Sequence, residues 1–219
     1  MSERVHGRVD RAAESRTIET PPEQTPPVTR GWRVVDIVVA SVLGVAAGVV
    51  FWAWGLAWGP LSGLLAFFAP LAGLLAGGWL FAGVLGGLVI RKPGAALFTE
   101  VVAGVVSMAV GTQWGFSVLL WAVLEGLGAE LGFALLRYRR WGVGAALLSG
   151  GLAGVVVGIL DTTFTSYVTW EFTWRAVYFG CAVISGLMIA GLLSWVAVRA
   201  LATTGALAPF ASGRTAREV

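Results

Sequence analysis

Val34–Trp54, VVDIVVASVLGVAAGVVFWAW, decides the fold. It is an apolar run broken by a single charge, Asp36. About 20 such residues suffice for a helix to cross a hydrocarbon core of ~30 Å. Apolar segments of similar length follow down the chain, and the composition agrees. Hydrophobic residues make up 57% and charged residues 12%, with a mean hydropathy of +0.82, whereas soluble domains carry roughly 25% charged residues. There is too little polar surface for a water-soluble shell, so the chain reads as an all-α integral membrane protein, multi-pass in the cell membrane. The net charge of +3 sits in loops and tails and points to no nucleic-acid partner. Cys181 is the one cysteine, which excludes an intrachain disulfide and a cysteine-built metal site.

Residues 1–31 end in Pro21-Pro22-Glu23-Gln24-Thr25-Pro26-Pro27 and bury nothing, which predicts a disordered cytoplasmic tail. Residues 32–203 read as the transmembrane domain and 204–219 as a second cytoplasmic tail. Six spans are expected: Val34–Trp54, Leu71–Ile90, Gly94–Gly111, Gly115–Leu136, Gly142–Leu160 and Trp174–Ala200. Between the first two, Gly55, Gly59, Pro60, Gly63 and Pro70 argue against one continuous helix. A re-entrant or lid-like loop lining a cavity fits there, with a short seventh span as the competing topology. Charge placement favours six. Arg30 and Arg33, Arg91 and Lys92, Arg137, Arg139 and Arg140, and Arg199, Arg214 and Arg217 then all fall on one face. The positive-inside rule makes that face, and both termini, cytoplasmic.

Glu100, Glu125 and Glu130 lie inside apolar stretches that contain no Lys, Arg or His. Intramembrane carboxylates are costly and mark substrate or ion pathways. At 1.5 Å rise per residue, Glu100 and Glu130 sit roughly 10 Å in from the basic face, with Glu125 deeper. At 3.6 residues per turn Glu125 and Glu130 point about 140° apart and cannot share one pocket wall. Trp121 shares the face of Glu125, and Ser107 that of Glu100. A carboxylate beside an indole suits a flat cationic ligand. The alternative is that the glutamates are protonated or hydrogen-bonded and hold helices together, with Glu100 and Glu130 pairing across the third and fourth spans.

The remaining aromatics gather toward the outer half as an interfacial belt would, including Trp58, Trp114, Trp170, Trp174 and Tyr178. Trp79 and Trp121 lie well inside spans and are better candidates for stacking. Asp161, at the outer end of the fifth span, either caps a cavity or is solvated. Ala40, Gly44 and Gly48 form a small-residue ridge that faces a neighbouring helix of the same chain or a partner. No GxxxxGK[ST] or HExxH motif occurs, and His6 is the one histidine. Serine–histidine catalysis and histidine-based metal hydrolysis therefore have no candidates. Transport against a gradient would draw energy from a partner or a coupled ion.

Arg91-Lys92-Pro93-Gly94-Ala95-Ala96-Leu97, then Glu100, then Gln113-Trp114-Gly115, then Glu125-Gly126-Leu127-Gly128-Ala129-Glu130 closely resemble the YkoE family. Val35-Asp36-Ile37-Val38 and Thr204-Gly205-Ala206-Leu207-Ala208-Pro209-Phe210 resemble it too, so the likeness runs over about residues 32–213. These are the thiamin-related substrate-binding (S) components of energy-coupling factor (ECF) transporters. The resemblance implies a six-helix S-component-like bundle that captures thiamin or its hydroxymethylpyrimidine precursor from outside. It implies an ECF transmembrane coupling subunit and two cytoplasmic ATPase subunits as partners, with a lid after the first helix. Ala40, Gly44 and Gly48 would form the docking surface. The family pattern usually has Gln where this chain has Glu125, and often Glu where it has Ser107.

The expected ligand contacts are Glu125, Trp121, Trp79, Ser107, Glu100, Gln113, Trp114, Asp161 and Tyr178. No catalytic residue, metal ligand or cofactor is expected, and the chain reads as a binding subunit of a vitamin importer rather than an enzyme. The alternative function is a stand-alone proton-coupled transporter of small cations that relays protons through Glu100 and Glu130.

Overall fold

The computed structural model describes residues 31–204, so the expected tails lie outside the described residues apart from Gly31 and Thr204. Every regular element among the described residues is helical. They are α1 (Val34–Leu64), a 3-10 segment (Ala66–Trp79), α2 (Phe81–Ile90), α3 (Ala95–Val110), α4 (Ser117–Leu135) and α5 (Val143–Phe164). A 3-10 turn (Ser166–Thr169), α6 (Phe172–Ser185), a π-helical segment (Gly186–Leu193) and α7 (Ser194–Thr203) complete the chain. Among the described residues, five stretches are long and apolar enough to cross a membrane: Val34–Leu64, Ala66–Ile90, Ser117–Leu135, Val143–Phe164 and Phe172–Thr203. The expected third span is the short one. α3 has 16 residues, about 24 Å of helix, and packs between α1 and α4.

The expectation of a lid-like loop or a separate short span at residues 55–70 is corrected. α1 runs on through Gly55, Gly59 and Pro60 to Leu64, 31 residues in all. Gly55 serves packing, not flexibility. A Cβ there would lie 2.9 Å from Trp114, and its carbonyl accepts a hydrogen bond from Gln113 Nε2 at 3.0 Å. Pro60 removes one helical donor with a single turn left before the helix ends, so little helix is lost. The following 3-10 segment breaks at Phe68 (φ −149°, ψ 84°). The segment has poorer internal hydrogen-bond geometry than an α-helix, and side chains from other elements support it. Ser185 Oγ donates to the Leu74 carbonyl at 2.5 Å and accepts from Gly77 N–H at 2.9 Å. Trp54 Nε1 donates to the Leu75 carbonyl at 3.0 Å.

The Ala40–Gly44–Gly48 ridge, expected as a docking surface, packs inside the chain, which matches the same-chain alternative. All three are buried against α3. A Cβ at Gly44 would come within 2.7 Å of Val102 Cβ, and one at Gly48 within 2.6 Å of Val106 Cβ. The ridge lets two helix backbones close on each other, while Val38, Val42, Val45 and Val49 on the same helix are exposed.

The basic connections gather at one end of the bundle. Lys92 Nζ donates to Asp36 Oδ2 at 2.6 Å and to the Gly31 carbonyl at 2.6 Å. Trp32 Nε1 donates to the Pro93 carbonyl at 2.9 Å. Glu130 accepts from the N–H groups of Gly94 (2.7 Å), Ala96 (3.0 Å) and Leu97 (3.3 Å) and from Tyr138 Oη (2.7 Å). A carboxylate at the start of α3 satisfies donors that have no partner within the helix and complements its dipole. Gly94, at φ +85°, holds the left-handed turn before that helix. The Arg-Lys-Pro-Gly stretch is thus a structural tie between α1, α3 and α4.

Candidate functional site: an acidic, aromatic cavity

At the end of the bundle opposite the basic connections, a cavity of about 520 Å³ opens between α1 and α3–α6. Ligand pockets commonly span ~300–1,000 Å³. Each wall comes from a different element. α1 supplies Phe51 and Trp58, and the 3-10 segment supplies Trp79. α3 supplies Glu100, the turn before α4 supplies Trp114, and α4 itself supplies Trp121 and Glu125. Asp161 comes from α5, Tyr167 from the turn after it and Tyr178 from α6.

Trp58, Trp79 and Trp114 form an aromatic cluster at one side. Ring centroids are 5.3 Å apart for Trp58–Trp79 and 5.2 Å for Trp79–Trp114, the latter edge-to-face at 88°. Tyr167 stacks on Trp170 at 4.3 Å and lies 4.9 Å from the Tyr178 ring. Burial pushes the Tyr167 phenol pKa up, and the Asp161 charge adds to that, so Tyr167 enters the wall as a neutral donor.

The acidic groups differ in their partners. Glu100 is 1% exposed. Its Oε2 accepts from Gly83 N–H at 2.5 Å, while its Oε1 is buried with no hydrogen-bond partner. Glu125 is 5% exposed, and no hydrogen bond from the described residues reaches its carboxylate. Asp161 accepts from Trp121 Nε1 at 2.9 Å and from Tyr178 Oη at 2.6 Å. Among the described residues, no Lys, Arg or His lines the cavity. The arrangement offers unpaired acceptor oxygens inside an aromatic enclosure, which suits a flat cation bearing N–H or O–H donors.

Seven of the nine expected contacts meet in this cavity: Glu100, Glu125, Asp161, Trp79, Trp114, Trp121 and Tyr178. Gln113 and Ser107 do not line it. The Gln113 amide is spent on the Gly55 carbonyl. Ser107 is buried on α3, one turn beyond the lining residue Gly104, and is not part of the wall. The expected Glu100–Glu130 pairing is also corrected, since Glu130 caps α3 at the basic end while Glu100 faces the cavity. Phe51, Trp58 and Tyr167 were absent from the sequence-based set. Phe51 and Trp58 share a helix face only once α1 continues past Trp54, and Tyr167 carries no signal separating it from an interfacial aromatic. Among the described residues, no group of three or more His, Cys, Asp or Glu converges as a metal ion would require.

Three comparisons bear on this geometry. The family described as ABC-type cobalt transport system, permease component, matches residues 35–156. The putative HMP/thiamine permease protein YkoE of Bacillus subtilis is 30% identical over 186 residues, covering 84% of this chain and 92% of that protein. The crystal structure of an S-component of an ECF transporter superposes with a TM-score of 0.79 at 28% identity, covering 86% of this chain and 94% of that one.

Proposed function

The chain belongs to the YkoE family of ECF transporter S components, and from that premise we propose that it captures thiamin or hydroxymethylpyrimidine from outside the cell. It is a multi-pass membrane protein and a transport component, not an enzyme. The basic end of the bundle faces the cytoplasm in this reading, so the cavity opens outward. An ECF transmembrane coupling subunit and two ATPase subunits supply the energy for release.

The observation that carries this reading is the pairing of Glu125 with the indole walls in a cavity that no base among the described residues lines. Thiamin brings a fixed positive charge and two flat rings. The charge meets the unpaired carboxylate, and the rings meet Trp79, Trp114 and Trp121. The cobalt in one family description finds no converging ligand set among the described residues to support it. A proton relay through Glu100 and Glu130 is not supported either, because Glu130 is held at the opposite end by three backbone donors.

Calorimetric titration of the purified chain tests the proposal. Saturable binding of thiamin or hydroxymethylpyrimidine at micromolar or tighter affinity is expected. Failure of both to bind would refute the substrate assignment.

A further inference from the structure

The three cavity carboxylates do not have the same work available to them. Glu100 keeps an unpartnered oxygen and Glu125 is free of hydrogen bonds from the described residues. Asp161 is engaged at both oxygens, Oδ1 by the Trp121 indole and Oδ2 by the Tyr178 phenol. It stands on α5 between a ring from α4 and a ring from α6. Its own backbone carbonyl accepts from Thr165 Oγ1 at 2.6 Å, which anchors the helix end that carries it. An indole has one N–H, on one edge, so holding that edge sets which way the ring faces turn. Bonds to a carboxylate in a poorly solvated site are the strong kind.

We infer that Asp161 is a positioning residue that sets the plane of the Trp121 indole and pins the hydroxyl end of Tyr178 in the stacking wall, leaving neutralisation of the ligand's charge to Glu125 and Glu100. The inference rests on the ligand class proposed above. It assigns the acids two distinct tasks. An acid that neutralises the ligand distinguishes a cation from an uncharged molecule, whereas an acid that orients rings affects both alike. Asparagine at position 161 presents one acceptor oxygen and one NH2 group, so it cannot accept from both rings across its two sides as the carboxylate does.

The test uses the full chain in detergent with two readouts. The first needs no ligand. The indole N–H resonance of Trp121, assigned by its loss in Trp121→Phe, is expected to move in Asp161→Asn and to stay in place in Glu125→Gln. An unmoved resonance in Asp161→Asn overturns the inference whether or not any ligand binds. The second readout is titration with thiamin, a cation, and hydroxymethylpyrimidine, which is uncharged. Asp161→Asn is expected to weaken both by a similar factor of about tenfold, and adding Trp121→Phe to it costs less than about twofold more. A loss confined to thiamin, or losses for Asp161→Asn and Trp121→Phe that multiply in full, overturns the inference. Wild-type protein that binds neither compound refutes the ligand class alone, and the resonance still decides the role of Asp161.

Discussion

Lys92 Nζ lies 2.6 Å from Asp36 Oδ2, a contact that ties the connection after α2 to the first turn of α1. Asp36 is fully buried and also meets Arg33 Nη2 at 3.0 Å. Removing Lys92 leaves Asp36 with Arg33 as its one cationic partner, and removing the carboxylate leaves Lys92 without its anion, each at a cost of about 1–3 kcal/mol. Lys92→Met and Asp36→Asn are each expected to lower the unfolding temperature by several degrees. Their combination should lower it by less than the two shifts added together. Thermal unfolding of the four proteins in one detergent measures this.

Glu130 makes a separate prediction at the same end. Its carboxylate serves three N–H groups at the start of α3 and the Tyr138 hydroxyl. Glutamine retains one acceptor oxygen and turns an NH2 toward donors. Glu130→Gln is expected to cost about 1–2 kcal/mol of stability, read as a lowered denaturation midpoint. Unchanged stability would show that water replaces the carboxylate there at no loss.

Gly48 separates internal packing from partner docking. A Cβ at this position would sit 2.6 Å from Val106 Cβ and 2.7 Å from the Ala103 carbonyl oxygen. Gly48→Leu is expected to destabilise the isolated subunit by about 1–3 kcal/mol or more through overpacking. A normal melting profile combined with failure to assemble would instead mark the ridge as a partner surface.

In the cavity, Glu125→Gln removes a charge with little change in shape. It is expected to weaken thiamin binding by roughly 10-fold or more, with a smaller effect on uncharged hydroxymethylpyrimidine. Trp79→Ala removes the ring that contacts both Trp58 and Trp114 and should weaken both ligands together. Equal losses of the two ligands in Glu125→Gln would count against a charge-neutralising role.

Much of this was readable from residues in order. The apolar runs, the basic connections and the carboxylates lying far from any base are all visible without a fold, and Glu125 with Trp121 follows from helical spacing alone. Other features have their cause elsewhere in the chain. Gly55 looks like a helix breaker until Trp114 and Gln113 are brought against it. Glu100 and Glu130 have equal depth and similar surroundings in the sequence, yet one faces the cavity and the other caps a helix.

Membrane residence, helical class and the approximate spans were determined by the sequence itself, because hydropathy over about 20 residues is a local sum that no distant contact alters. Tertiary structure decided the length of α1, the burial of the Ala40–Gly44–Gly48 ridge and the division of roles among the acids. Those outcomes depend on which backbone or ring arrives from another helix, as Trp121 does at Asp161 and Gly94 at Glu130. A side chain's chemistry states what it needs, and only the packed bundle determines what it meets.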